Sequence, residues 1–346
     1  MPRKKGITIK EVAQRAKVSI ATVSYAFNRR DAISAETRAR VFAAAEELGY
    51  RPNVMASNLR RQESRILGYS WHPLPKDHWH PVLDRFLYAM AAAAEARGYH
   101  ILTFTGGSGD EVWQTYEALM LSQRVDGFVL SDTNADDVRI RGLLERGFPF
   151  VAFGRANEAW DFPYVDVDGE AGVAQAVEHL LELGHRRIGL VTWPQGSLTG
   201  RYRNQGYRRT LAAAGLSVDP AWIVRGENDE AAARAGAQQL LALPEERRPT
   251  AIVAVSDLMA LGVMRALYSA GLQPGQDVAV VGYDDIPTAQ YLQPPLSSVR
   301  QPIVEVGERV VEMLLQVIAG EPLEARRVLL EPELIVRASS GGPVSF

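Results

Sequence analysis

From Ser64 onward the chain alternates short apolar runs with amphipathic stretches of helical period, and this leaves little choice of fold. Strands that run parallel must be joined by crossovers, which are usually helices. The apolar runs are Ile66–Ser70, His100–Thr105, Gly127–Leu130, Phe150–Phe153, Ile188–Val191, Ala251–Val255 and Val278–Gly282. Helical stretches at Pro81–Gly98, Gly169–Gly184, Arg203–Gly215, Ala231–Leu243 and Ser256–Gly271 lie between them. These are more strands than one doubly wound sheet of five or six needs, so two such α/β units are expected, with ligand in a crevice at the carboxyl ends of their strands. The 346 residues suffice for that and for a further small domain. With no Cys, disulfides, thiolate metal sites and a Cys nucleophile are excluded. The longest apolar run, Phe86–Ala94, is half the length of a membrane span. The basic start Met1–Gly6 leads into Ile7-Thr8-Ile9-Lys10-Glu11 rather than an apolar signal core. A soluble, cytoplasmic protein without a membrane partner is expected.

Charge divides the chain unevenly. Residues 1–65 hold 14 Lys and Arg against 6 acids, so within a total of -3 the remainder carries -11. A basic head on an acidic body is the electrostatic footprint of a nucleic-acid-binding module joined to something else. In that head Thr8-Ile9-Lys10-Glu11 spells a capping box that opens a helix, and Ser19 caps a second one, Ile20 to Asn28, after a turn of about three residues. A third helix is expected from near Ser34 to Leu48, closed by Gly49. Val12, Ala16, Val18, Val23, Phe27 and Val41 can make one small core, giving the three-helix form of a helix-turn-helix.

The strings Thr8-Ile9-Lys10-Glu11-Val12-Ala13 and Val18-Ser19-Ile20-Ala21-Thr22-Val23-Ser24, followed by Asn28, resemble the head-piece of the lactose/galactose repressor (LacI/GalR) family of bacterial transcription regulators. The likeness continues through Gly184–Ile188, Ser256–Gly262, Val281–Asp285 and Pro295–Val299. It implies an N-terminal all-α helix-turn-helix over residues 1–50, a hinge helix over 51–65 and an effector domain over 66–346. That domain would be two-lobed and like a periplasmic binding protein, with an N-lobe of about 66–167 and 298–325 and a C-lobe of about 168–294 and 326–340. The resemblance puts Ile20, Ala21 and Tyr25 on base edges and Ser19, Thr22, Ser24 and Asn28 on phosphates. Thr8 and, in the hinge, Asn53, Ala56, Leu59 and Arg60 complete the DNA-binding set, with Leu59 as an apolar wedge at a base step. Tyr25 stands where the family usually has Arg, and a single hydroxyl cannot make the bidentate contact to guanine. The implied partners are pseudo-palindromic operator DNA, a second copy of the chain and a small-molecule effector. The end of the chain lacks the leucine heptads of a tetramer-forming tail.

For the effector, the resemblance points to Arg155, Arg203, Ser256, Asp257 and Asp284. The residues add Trp71, His72 and Trp79 of a long aromatic loop, and Trp193 after a strand. Indoles at strand ends beside Arg and Asp suit a sugar, whose C–H faces stack on rings while its hydroxyls need fixed donors and acceptors. Competing chemistry is thin. Gly107-Ser108-Gly109 ends with Val112 where a dinucleotide motif needs Gly, and there is no phosphate-binding Gly-x-x-x-x-Gly-Lys sequence. His72, His78, His80 and Asp77 match no standard metal spacing. Asp284-Asp285 should diverge rather than share a proton. No catalytic set, metal or cofactor is expected, so the chain reads as a sugar-controlled repressor of carbohydrate genes and not as an enzyme. A purine-dependent corepressor system and, from another class, a solute-binding protein are the alternatives.

Overall fold

The computed structural model describes residues 7–28, 32–50, 63–71, 80–106 and 111–341. It divides into two compact units, Met1–Ser64 and Arg65–Phe346. The first contains α1 (Ile9–Ala16), α2 (Ile20–Asn28) and α3 (Ala35–Leu48). Its ends are fixed locally, as the capping residues require. The Thr8 N–H and hydroxyl both donate to Glu11 Oε2, at 2.6 and 2.7 Å, and Ser19 Oγ and Ser34 Oγ accept from the N–H groups of Thr22 and Thr37. Val12, Ala13, Ala16, Val23, Ala26, Val41, Ala44 and Ala45 form the core, with Val18 and Phe27 half-buried against it. Small side chains let three short helices approach closely enough to exclude water.

The second unit runs in chain order through β1 (Ile66–Trp71), α4 (Pro81–Glu95), β2 (His100–Thr105), α5 (Glu111–Leu121), β3 (Gly127–Leu130), α6 (Val138–Arg146), β4 (Phe150–Phe153) and β5 (Tyr164–Val167). It continues with α7 (Gly169–Glu182), β6 (Ile188–Thr192), α8 (Leu198–Ala213), β7 (Ile223–Arg225), α9 (Glu230–Leu241), β8 (Ala251–Ala254), α10 (Asp257–Ser269), β9 (Ala279–Asp284) and β10 (Ser297–Arg300). Then come α11 (Ile303–Ala319), β11 (Arg327–Leu330) and β12 (Glu333–Ile335). Two six-stranded sheets result, ordered β11-β5-β4-β3-β1-β2 and β12-β10-β9-β8-β6-β7. All neighbours are parallel except β10 and β12. The two doubly wound units expected from the alternation are present. Helices α5, α6 and α11 and the short strands β5, β7 and β10 to β12 were not among the expected elements.

The lobe boundaries differ from expectation by a few residues. Residues 298–300, assigned to the N-lobe, pair with Gly282–Asp284 and belong to the C-lobe sheet, while Arg327–Leu330, assigned to the C-lobe, pairs with Tyr164–Val167. The second and third crossings therefore fall after Arg300 and after Leu330. Sheet membership is a long-range pairing, and a four-residue strand carries no local mark of its partner. Among the described residues no helix is long and apolar enough to cross a membrane.

Several caps bring polar backbone to the same end of the sheets. Asp168, Ser197, Asp229 and Ser256 accept from the N–H groups of Ala171, Gly200, Ala232 and Met259 at 2.7 to 3.1 Å. Asp168 and Ser256 stand one and two residues past the ends of β5 and β8. A strand feeding a capped helix puts donors and acceptors at its carboxyl end, where binding crevices form in such folds.

Candidate functional site

In the head, α2 carries the residues expected on DNA. Ile20 and Tyr25 are exposed, each at 43%, and Ala21 is exposed beside them. Ser24 and Thr22 are half-buried. The hydroxyls of Ser19 and Thr22 bond each other at 2.8 Å at the head of the helix, where oriented N–H groups favour a phosphate. Thr8 is exposed at the start of α1. Of Asn28 only the backbone is described. Asn53, Ala56, Leu59 and Arg60 lie outside the described residues, as does the rest of the expected hinge helix.

In the body, a cavity of about 480 Å³ opens between the carboxyl ends of the two sheets. From the N-lobe it is lined by His80, Asp132, Thr133, Phe153, Arg155 and Asp166, and from the C-lobe by Trp193, Tyr202, Arg203, Asn228 and Asp284, with Gln301 on the second crossing. Four of the expected effector residues meet here: Arg155, Trp193, Arg203 and Asp284. Arg155 follows β4 and donates from Nε to Asp166 Oδ2 at 2.6 Å; its guanidinium lies 3.5 Å from the ring centre of Tyr202 on the opposite lobe. Arg203, on the first turns of α8, is 4% exposed and donates from Nη1 to the Val255 carbonyl. Its guanidinium stacks 3.6 Å from the Tyr283 ring centre and 4.9 Å from that of Trp193. An Arg so stacked keeps its planar fork rigid, with little rotamer entropy left to lose on binding.

Asp284 ends β9 and accepts from Gln301 Nε2 at 2.7 Å. Burial pushes its carboxyl up to about 6, against the downward pull of Arg203 and the Gln301 bond. Asp284 and Asp285 have φ of 116° and 47°, in the left-handed region that few non-glycine residues enter. The two carboxylates diverge as expected: Asp285 turns away to Arg300 and Arg337, each at 2.7 Å.

Ser256 and Asp257 correct the expectation. Neither lines the cavity. Ser256 is 1% exposed and donates to Asn228 Oδ1 at 2.6 Å, so Asn228 fronts the cleft in its place. Asp257 is fully buried; it accepts from Ser298 Oγ at 2.5 Å and from the Ile286 N–H at 2.8 Å, tying α10 to β10 and the turn after β9. A β-carbon at Gly282 would collide with that carboxylate, so glycine there makes room for it. Burial, with Asp284 close by, holds Asp257 well above the usual carboxylate range. Trp71 ends β1 with only its backbone described, and His72 and Trp79 lie outside the described residues. Gln301, Asn228, Asp166 and Tyr202 were missed. Gln301 directly follows β10, Asp166 is the last but one residue of β5, Asn228 lies in the turn between β7 and α9 and Tyr202 is in the second turn of α8, so position near a strand's carboxyl end or the helix after it is the signal that could have marked them.

A helix-turn-helix head joined to a two-lobed, binding-protein-like body defines a DNA-binding transcription regulator. Residues 8–53 match the model of bacterial regulatory proteins of the lacI family, and 177–340 that of the periplasmic binding protein-like domain. The chain is 36% identical to the HTH-type transcriptional regulator CelR of Thermobifida fusca, over 98% of its own length and 100% of that protein. It is 34% identical to the HTH-type transcriptional repressor CytR of Escherichia coli over 96% of each. Among solved structures, a LacI-family regulatory protein from Chloroflexus aggregans is 46% identical with a TM-score of 0.77, over 80% of this chain and 99% of that one. A CelR–cellobiose complex gives 34% and 0.73, over 96% and 99%, and the lac repressor dimer bound to operator and the anti-inducer ONPF gives 29% and 0.84, over 97% and 99%. The chain belongs to the LacI family of bacterial regulatory proteins.

Proposed function

We propose that the chain is a cytoplasmic repressor of carbohydrate-utilisation genes, acting as a homodimer, whose operator affinity is set by a neutral glycoside bound between the lobes. The observation that carries this reading is the stacked Arg203, with an indole on one side and a carboxylate and an amide nearby. Rings suit the C–H faces of a sugar, and Arg203, Asp284, Asn228 and Gln301 suit its hydroxyls. The cavity's charges favour an uncharged ligand. Asp132, Asp166, Glu227 and Asp284 line it against Arg155 and Arg203, and Arg155 is engaged by Asp166. A phosphorylated sugar would meet net negative charge. The sugar-bound CelR structure supports a disaccharide, and the operator-bound lac repressor dimer supports two-fold pairing on DNA.

A mobility-shift assay on a selected operator, with cellobiose, other disaccharides, monosaccharides and purines in turn, tests the reading. A neutral disaccharide is expected to release the protein from DNA. Tighter binding in the presence of a purine would establish the corepressor alternative, and failure to bind any DNA would favour a solute-binding protein.

A further inference from the structure

The base-reading helix exposes an apolar face. Positions 20, 21, 24 and 25 fall on one arc of α2 at helical spacing. Among the described side chains of that arc are a sec-butyl group, a methyl, one half-buried hydroxyl and a phenol ring, with Ile20 and Tyr25 each 43% exposed. The helix has no acid in its first turn and no base in its last. On the opposite side Val23 and Ala26 are at most 1% exposed and lock the helix into the core, which leaves the arc no freedom to rotate inward.

A helix-turn-helix docks its second helix in the major groove with the N-terminal residues on base edges. The polar edges there demand partners. G·C and T·A pairs each present three polar groups there, and leaving one dehydrated against Ile20, Ala21 or the Tyr25 ring costs a lost hydrogen bond in either case, so what separates the two pairs for an apolar surface is what else the edge offers. The single apolar group on a natural base edge in that groove is the thymine C5-methyl. We propose that α2 reads its half-site chiefly through the methyl groups of 5-methyl pyrimidines, with T·A pairs opposite Ile20, Ala21 and Tyr25 and the Tyr25 hydroxyl supplying a single hydrogen bond. The charges of the head hold the backbone and add affinity without sequence preference.

The test uses the full chain and an operator selected from random DNA. Each thymine of the half-site is replaced by deoxyuridine, which removes only the methyl. At two or more positions affinity should fall about three- to fivefold per methyl, while binding to random DNA and its salt dependence stay the same. Replacing deoxyuridine by 5-methylcytosine paired to guanine should restore part of the loss. Tyr25→Arg, selected afresh, should move one position from T·A to G·C. Deoxyuridine without effect at every position, a selected half-site dominated by G·C under α2, or no selected sequence at all would overturn the proposal. Loss of the salt-dependent binding to random DNA would instead remove the DNA-binding reading itself.

Discussion

The N-lobe and C-lobe share a strand order, β1 and β2 answering to β6 and β7 and β3 to β8, yet they use their buried polar groups in opposite ways. The N-lobe core is the richer in aromatic rings, with Tyr69, Phe86, Tyr116, Phe128 and Phe162 fully enclosed among aliphatic side chains. At the carboxyl end of its sheet the polar groups satisfy one another. Tyr69 Oη bonds Ser131 Oγ at 2.9 Å, and Ser70 Oγ bonds Tyr116 Oη at 2.7 Å. Arg139 pairs with Asp137 at 2.7 Å and reaches the carbonyls of Ser131 and Asp132. The C-lobe core is mostly aliphatic. Among the described C-lobe atoms buried without a hydrogen-bond partner, Trp193 Nε1 and Arg203 Nε belong to residues that line the cleft, while Thr192 Oγ1, Tyr283 Oη, Asn204 Oδ1, Glu230 Oε1 and Arg234 Nε belong to residues that do not; in the N-lobe Arg139 Nη1 stands in that state. An unmet buried donor costs about 1–3 kcal/mol, and Trp193 Nε1 and Arg203 Nε are the two of these whose residues line the cavity. The difference teaches a division of labour. On the function proposed above, the N-lobe serves mainly as a self-satisfied frame that adds Arg155 and Asp166 to the cleft, and the C-lobe face around Arg203 and Trp193 would carry most of the ligand reading.

The sharpest way to break this comparison is to disturb the frame. Arg139→Ala leaves the Asp137 carboxylate buried and unpaired, which should cost about 3–5 kcal/mol and lower the melting temperature of the body by about 6–15 °C. Calorimetric effector affinity of the folded protein should change by less than threefold. A large loss of affinity with unchanged stability would put the N-lobe network among the reading groups. On the C-lobe the pattern should reverse. Arg203→Ala should weaken effector binding about 100-fold, and Arg203→Lys, which keeps the charge but loses the planar fork, about tenfold. Trp193→Ala, which removes the indole beside the guanidinium, should cost about five- to tenfold on the same ligand.

A smaller effect concerns pH. The Asp284 carboxyl, with an ordinary value of 3.8, is raised to about 6 in the folded chain, so the folded state takes up a proton that the unfolded chain does not bind between those values. Stability therefore falls as pH rises through that window, and the penalty is fully present above it. Asp284→Asn removes the penalty. Its melting temperature should exceed the parent's by about 2–4 °C at pH 7.5, the gap closing toward pH 4. His179 and His185, held below their ordinary value by burial, destabilise both proteins alike on acidification and cancel in the difference. A gap that widens as pH falls would contradict this assignment.

What was legible in the sequence was local. Thr8 with Glu11 and Ser34 with Thr37 are three residues apart, and such caps follow from residue type and spacing. The alternation of strand and helix was equally plain because its periods differ. Which lobe owned β10 and β11 was not legible, since register and partner are set by residues far away in the chain. The site follows the same rule. Arg203 and Trp193 lie where a strand end and the helix after it predict. Ser256 and Asp257 also follow a strand, but the turn into α10 makes one a cap and points the other at Ser298, 41 residues on. Gln301 enters the cleft because β10 pairs with β9, a contact invisible to any local pattern.

The central claim is that a sugar acts on DNA binding through the C-lobe face of the cleft. The most direct measurement is the operator affinity of the parent and of Arg203→Ala, titrated side by side with the disaccharide that releases the parent most strongly. The expected result is equal affinity for operator without sugar, release of the parent, and half-release of Arg203→Ala only at about a hundred times the parent's half-effective concentration. Release of both proteins at the same sugar concentration would contradict the account.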